Sequence, residues 1–157
     1  LAGYLGLRDL EPDIWQRSQP GNPIAIRWAA MLSLARLGNS EATAAIMKRV
    51  SKFPVNDDVV YELFPDLLYT RQPEAIAYMI AALQSDDPNC LSADAEKEKP
   101  IPCGYRIMEL LAPVIAGYPL QVDQSGDLAT SDYPKALQTV RAWFNHSTAY
   151  QILTDKY

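Results

Sequence analysis

Two helical patterns joined by a very short turn constrain this chain more than any other feature. From 22 to 53, apolar residues recur at intervals of three and four on both sides of a Leu-Gly-Asn turn at 37–39. Gly38 predicts a helix end, because glycine takes the left-handed backbone conformation at little cost. Ser40 is predicted to be the N-cap of the helix that follows. Helices joined this closely must lie antiparallel, so the segment predicts a helical hairpin.

A second hairpin of the same kind is predicted at 57–85. Asp57 or Asp58 is placed to start its first helix. Pro73 suits the first turn of its second helix, where the missing N–H costs nothing. Over the two hairpins, the predicted buried stripes of the four helices are, in order, Ile24, Trp28, Met31, Leu32 and Ala35; Ala42, Ile46, Val50 and Phe53; Val60, Leu63, Phe64, Leu67 and Leu68; Ile76, Met79, Ile80 and Leu83.

The sequences of the two hairpins resemble each other, which indicates a repeat. Shifting the chain by 33 residues lays NSEATAAIM at 39–47 over QPEAIAYMI at 72–80. A looser third copy repeats the eleven-residue spacing between Arg27 and Gly38 in Arg106 and Gly117. Because one such hairpin cannot bury its apolar face alone, about three copies are expected to stack into one unit.

The segment NPIAIRWAAMLSLARLGNSEATAAIMKRV at 22–50 resembles a HEAT-like repeat of the short kind found in phycobilisome-lyase-type proteins. The second copy departs from this pattern, with Val60 in place of the arginine and no glycine in its turn. The residues that carry the resemblance are Asn22–Pro23, Arg27, Ala29–Ala30, Leu37–Gly38–Asn39 and Glu41–Ala42.

The resemblance implies an all-α fold, an α-α superhelix (a right-handed solenoid) of about three antiparallel helical hairpins. The whole chain, 1–157, would form a single domain of this kind. Residues 1–10 are expected to form a short helix left from a preceding repeat, and 11–21 an irregular segment. The expected repeats are roughly 22–53, 57–85 and 102–146, with a cysteine-bearing loop at 86–101 and a C-terminal cap at 148–157.

Two prolines interrupt helical patterns, Pro65 in YELFPDLLY and Pro113 in MELLAPVIAG. Each is expected to kink its helix or split it, because proline lacks an N–H and clashes with the preceding turn. Since they follow Glu62 and Glu109 at similar places, one repeated bend is predicted.

The two cysteines, Cys90 and Cys103, flank a polar stretch without apolar periodicity. A pair in this position indicates a disulfide, closing a loop of about 14 residues and contributing about 3 kcal/mol. The disulfide favours an extracytoplasmic location, periplasmic or secreted. Two free thiols in the cytoplasm are the alternative. No apolar run approaches the roughly 18 residues that span a bilayer, so no transmembrane segment is expected.

The net charge of −5 argues against nucleic-acid binding, which normally needs a basic face. In stacked hairpins the second helices usually line the concave side. A basic and aromatic face suited to a protein or peptide partner with an acidic segment is therefore predicted there, with a merely solvated helix face as the alternative. Arg27 and Arg106 are expected to bind carbonyls or carboxylates at repeat junctions. The residues predicted for the concave face are Lys48, Arg49, Lys52, Tyr78, Gln138 and Arg141.

No catalytic residue, metal or cofactor is predicted. The chain has no HExxH, GxSxG, phosphate-loop or dinucleotide motif. Its one histidine, His146, fits a helix end, and two cysteines with one distant histidine do not make a zinc site. The stretch 123–127 is expected to be a solvated turn rather than a calcium loop. Glu62 and Asp66 are expected to be solvent-facing charges.

These observations predict a non-enzymatic protein-interaction or scaffold module. An enzyme-associated or lyase-like factor built on the same repeat is the alternative, and a structural spacer is the third possibility. A deep pocket with convergent polar groups would favour the enzyme, and a broad shallow groove would favour binding.

Overall fold

The computed structural model describes residues 1–92, 99–123, 128–146 and 149–154. Parts of the predicted cysteine-bearing loop, the predicted turn at 123–127 and the predicted cap at 148–157 lie outside these residues. The described residues form seven α-helices and no strand, with three isolated β-bridges, so the all-α prediction is confirmed. The helices are α1 (Glu11–Ser18), α2 (Ile24–Arg36), α3 (Ser40–Val50), α4 (Phe64–Thr70), α5 (Pro73–Leu83), α6 (Gly104–Leu111) and α7 (Tyr133–His146).

The chain divides into two compact units. The first comprises Leu1–Pro54 and Asp66–Ile76, and the second comprises Val55–Pro65 and Ala77–Tyr157. None of the described helices is long and apolar enough to cross a membrane. The predicted repeat boundaries and the superhelical arrangement stay predictions.

In the first unit, α2 packs against both α1 and α3. The presence of α1 corrects the prediction that 11–21 is irregular: Pro12 stands in the first turn of α1, where proline starts a helix rather than breaking it. The predicted short helix within 1–10 is reduced to one 3₁₀ turn at Arg8–Leu10.

The turn between α2 and α3 has the predicted backbone conformation, but the N-cap of α3 is not the predicted residue. Gly38 has a φ of 93°, the left-handed conformation expected of it. Asn39, not Ser40, is the N-cap: its side chain accepts a hydrogen bond of 2.9 Å from the N–H of Ala42. Asparagine and serine cap about equally well, so the sequence alone did not decide between the two neighbours.

The buried face of α3 follows the predicted stripe except at Phe53, and that of α2 follows it only at Leu32 and Ala35. Ile24 is 64% exposed and Phe53 is 46% exposed, because Ile24 opens α2 and Phe53 lies beyond the end of α3. Because α2 packs against both α1 and α3, Ala30 and Leu34 are also buried, while Trp28 and Met31 are only half-buried. The buried side chains of the two helices are Ala30, Leu32, Leu34, Ala35, Ala42, Thr43, Ile46 and Val50.

The turn between α4 and α5 repeats this backbone without a glycine. Arg71, 33 residues after Gly38, has a φ of 53° and is the one described non-glycine residue with positive φ. Its Nη1 donates a 2.6 Å hydrogen bond to the carbonyl of Leu68, within the last turn of α4. The helix that follows starts at Pro73, as predicted. An arginine therefore occupies a conformation that costs a side-chain-bearing residue about 1–2 kcal/mol.

In the second unit the chain accommodates its two prolines in different ways. A π-helical turn at Val59–Leu63 precedes Pro65, and the N–H of Phe64 bonds to the carbonyl of Val59, five residues back. Pro113 instead lies in a 3₁₀ turn that ends α6. The prediction that each proline disturbs its helix is confirmed. The predicted repeated bend is wrong, because the π-helical turn before Pro65 leads into α4, whereas the 3₁₀ turn that contains Pro113 ends α6.

The Cys90–Cys103 disulfide is formed, as predicted, and both residues are buried. Cys90 and Ile101 pair as an antiparallel bridge, which closes the loop at its base. Arg106 donates a 2.6 Å hydrogen bond to the carbonyl of Leu91 and lies 3.3 Å from Asp57. Asp57 in turn accepts a 2.7 Å hydrogen bond from the Leu91 N–H. The predicted binding of Arg106 to carbonyls or carboxylates is therefore confirmed.

The C-terminal segment folds back onto the second unit. Gln151 and Leu153 make backbone hydrogen bonds of 2.9 and 2.8 Å to Ala116 and Val114. Nearby, Tyr118 donates a 2.7 Å hydrogen bond to the carbonyl of Met108, and burial raises its pKa well above the usual range. The predicted folding back is thus observed for the described part of the tail.

Replacing the two positive-φ turn residues tests the hairpin geometry. A Cβ at Gly38 meets no atom within 4 Å, so only the backbone opposes it, and Gly38→Ala is expected to lower the free energy of unfolding by about 1–2 kcal/mol in urea. At the equivalent position, Arg71→Gly should be about 1 kcal/mol more stable than Arg71→Ala. Both variants lose the arginine's hydrogen bonds, but only glycine relieves the backbone. Equal stability of the two would contradict this assignment.

Removing the disulfide measures what the closed loop contributes. The double variant Cys90→Ser/Cys103→Ser is expected to unfold with a free energy lower by about 3 kcal/mol, because the unfolded chain regains the freedom of the loop. Calorimetry with and without a reductant checks this. Reductant should destabilise the wild-type protein and leave the double variant unchanged; an unaffected wild-type protein would contradict the prediction.

Candidate functional site

The six residues predicted for one concave face divide between the two units. Lys48, Arg49 and Lys52 belong to the first, and Tyr78, Gln138 and Arg141 to the second.

In the second unit, Arg141 is committed to holding the end of α5. Its guanidinium donates hydrogen bonds of 2.8 and 2.7 Å to the carbonyls of Leu83 and Ser85, and one of 2.6 Å to Asp86. The Arg141 side chain is only 17% exposed. These bonds satisfy carbonyls that a helix end leaves without partners. They give Arg141 a structural role, and we leave it out of the candidate site.

Tyr78 and Gln138, the other two predicted residues of the second unit, also contribute little to a binding surface. Tyr78 is half-buried, with its ring edge-on to Phe64 at 6.1 Å between centroids, and burial raises its pKa. Gln138 is exposed on α7, and its neutral amide brings no charge to the surface.

In the first unit, three cations stand at the end of α3. Lys48 and Arg49 lie in its last turn, Lys52 lies just beyond, and all three are exposed. Cations are favourable there because the helix dipole is negative at its C-terminal end. The local stability of α3 therefore accounts for positive charge at this place, and a binding role needs further observations.

Arg49 is ordered by an aromatic ring. Its guanidinium lies over the indole of Trp28, 5.0 Å from the ring centroid. The Trp28 Nε1 donates a 2.5 Å hydrogen bond to Asp66. Asp66 is half-buried, so its predicted role as a solvent-facing charge is wrong. The carboxylate fixes the indole from its edge and the arginine covers its face, contacts worth about 1.5–3 and 0.5–1 kcal/mol.

A pocket of about 250 Å³ opens beside this stack. It lies between the start of α2, the second half of α3 and the end of α1. Apolar side chains form one part of its wall, and two guanidinium groups form another. The lining residues are Ser18, Ile24, Arg27, Trp28, Met31, Ala45, Ile46 and Arg49.

Arg27 resembles Arg106 in having a buried Nε without a hydrogen bond, although the Arg106 Nε lies 3.3 Å from Asp57. For Arg27, no partner of this atom is found among the described residues. The predicted carbonyl or carboxylate partner of this arginine is therefore not found at Nε. A buried donor of this kind costs about 1–3 kcal/mol when nothing accepts its hydrogen.

The sequence contains a signal for this pair that lies outside the helical stripes. Arg27 and Arg49 stand eleven residues on either side of Gly38, so an antiparallel hairpin brings them to the same end. Assigning Trp28 to the buried stripe obscured this, because a tryptophan can pack one part of its ring and expose another.

A second, larger pocket of about 480 Å³ lies on α1 and α2. Its lining includes Leu1, Leu10 and Ile26, which are 85%, 40% and 42% exposed. Only Asp13, Arg17 and Ser33 bring polar groups to it, and they do not form a convergent set. Within the part of the chain that the structure describes, no group of three or more His, Cys, Asp or Glu side chains is placed to hold a metal ion.

Comparison with known proteins yields no match to this chain among protein-family models, curated proteins or solved structures. The fold and the pocket therefore define only an all-α protein with a basic and aromatic pocket on its first unit. The HEAT-like resemblance remains a prediction from the sequence.

Replacing Arg141 is expected to cost more stability than replacing Arg49. Arg141→Ala should lower the free energy of unfolding by about 2–3 kcal/mol, because carbonyls at the end of α5 lose a charged donor. The pair with Asp86 adds little to this, since that carboxylate is 84% exposed. Arg49→Ala should cost about 1 kcal/mol or less. Urea denaturation of both variants checks the contrast, and similar losses would show that the two arginines have the same role.

Proposed function

We propose that this chain is a non-enzymatic protein-interaction module that binds an acidic segment of a protein or peptide partner. The observation that carries the proposal is the exposed basic end of α3, where Arg49 is ordered on Trp28 beside a pocket. Such a surface is unusual on a chain with a net charge of −5. A local basic patch attracts an acidic partner and fixes its orientation.

The order in this patch supports binding rather than simple solvation. A free arginine side chain loses about 0.5–1.5 kcal/mol of conformational freedom when a partner immobilises it. Stacking on Trp28 has already restricted Arg49. Tryptophan and arginine are also the residue types that most often carry binding energy at protein interfaces.

The proposed architecture around this patch is a HEAT-like solenoid. Its support is local: α2 and α3 form a hairpin, and the turns before α3 and α5 carry positive φ at positions 33 residues apart. Stacked hairpins of this kind create extended surfaces that receive segments of other proteins.

The proposed location is extracytoplasmic. The buried Cys90–Cys103 disulfide supports it, because disulfides form and persist mainly in oxidising compartments. The acidic composition also supports a partner that is not a nucleic acid.

Charge reversal at the end of α3 tests the proposal. The variant Lys48→Glu/Arg49→Glu/Lys52→Glu is compared with a matched control, Arg8→Glu/Lys99→Glu/Lys135→Glu, whose three residues are exposed elsewhere. Both carry the same net charge. Affinity capture with crosslinking from the native source should recover a stoichiometric protein partner with wild type and control, and lose it with the α3 variant.

Three further measurements make the result decisive. The neutral variant Lys48→Gln/Arg49→Gln/Lys52→Gln separates lost attraction from new repulsion, and circular dichroism shows that each variant is folded. Capture should also weaken as salt is raised, because exposed charges are screened. A partner that the α3 variant still binds would contradict the proposal. A retained small molecule without any protein partner would favour the enzyme-associated alternative.

A further inference from the structure

We infer that the pocket between Arg27 and Arg49 is a binding site for a single carboxylate attached to an apolar group. This deepens the proposed function and rests on it: the ligand would be an acidic residue of the partner segment next to an apolar one. The inference goes beyond a basic patch, since it names a pocket, two donors and the chemistry of what enters.

The first donor is Arg27. Its buried Nε has no hydrogen-bond partner among the described residues, and its side chain lines the pocket. A guanidinium presents its N–H groups in a flat fork that matches the two oxygens of a carboxylate. A carboxylate in the pocket would accept from this buried N–H and remove the cost of leaving it unsatisfied.

The second donor is Arg49. Stacking on Trp28 uses the face of its guanidinium, and the N–H groups point outward in the plane of that group. Face-on stacking and edge-on hydrogen bonding are therefore compatible. No salt bridge joins Arg27 or Arg49 to a carboxylate within the described residues, in contrast to Arg106 and Arg141.

The apolar requirement comes from the other residues that line the pocket. Ile24, Met31 and Ile46 line the pocket together with the ring of Trp28. At about 250 Å³ the pocket is smaller than the roughly 300–1,000 Å³ of sites that take drug-sized ligands. It therefore suits one or two side chains of a segment rather than a whole cofactor.

Charge favours a carboxylate over a phosphate. Asp66 is fixed at the edge of Trp28, so one negative charge already stands close to the pocket. A singly charged carboxylate meets less repulsion from it than a phosphate, which carries close to two charges at neutral pH.

The test uses small probes and needs no partner. 3-Phenylpropionate is titrated into the folded, ¹⁵N-labelled protein, and the signals of the Arg27 Nε–H and the Trp28 indole N–H are followed by NMR. We expect both to shift saturably, with a dissociation constant on the order of millimolar. The matching amide, 3-phenylpropionamide, should bind at least tenfold more weakly, because it lacks the charge.

Substitutions locate the site. Arg27→Gln and Arg49→Gln should each weaken binding of the carboxylate about tenfold or more, and Arg8→Gln, an exposed arginine outside the pocket, should leave it unchanged. Spectra of each variant without probe report whether its fold is intact. Equal binding of amide and carboxylate, tighter binding of inorganic phosphate, or no saturable shift in the wild-type protein would each overturn the inference.

The partner experiment separates this inference from the proposed function. Saturating 3-phenylpropionate should reduce capture of the partner, and sodium chloride at the same ionic strength should reduce it less. If charge reversal at the end of α3 abolishes capture but the probe neither binds nor competes, the interaction function stands and the carboxylate pocket is wrong. If the probe binds at Arg27 and charge reversal leaves capture intact, the proposed function fails instead.

Discussion

Two helices of the first unit end in tight turns that contain a residue with positive φ, Gly38 after α2 and Arg71 after α4, a common way to end a helix. The first reversal creates the candidate site. Because α3 returns antiparallel to α2, its last turn comes back beside the first turns of α2. Arg49 thereby reaches Trp28 and Arg27. Without that turn the chain would not bring these three side chains together.

Four arginines show how differently one side chain can be used in a small helical protein. Arg106 ties the base of the disulfide loop to Asp57, and Arg141 completes the end of α5. Both bind a carbonyl and a carboxylate within their own unit. Arg27 and Arg49 instead bring donors to a pocket, one buried and one held on an aromatic ring. The difference lies in their surroundings, since all four carry the same charge.

Local features of the sequence predicted the fold better than they predicted the site. Helical period, the glycine at 38 and the cysteine spacing each report a nearby interaction, and the helices other than α1, the glycine turn and the disulfide were predicted correctly. Pro12 was misread because proline begins some helices and breaks others, and only position in the helix decides. Asp66 was misassigned and the hydrogen bonds of Arg141 were not foreseen, because the partners of these residues lie 38 and 55–58 residues away. Sequence period carries no information about such distant contacts.

The anchoring of α5 by Arg141 has a consequence for synthesis of the chain. Arg141 lies 58 residues after Leu83, whose carbonyl it binds. During vectorial synthesis the end of α5 must wait without this partner until most of α7 has been made. Contacts of such long sequence separation form late, since the intervening loop must first be closed. The second unit is therefore expected to mature only after α7 has left the ribosome, which couples the final packing of α5 to the synthesis of a helix far along the chain.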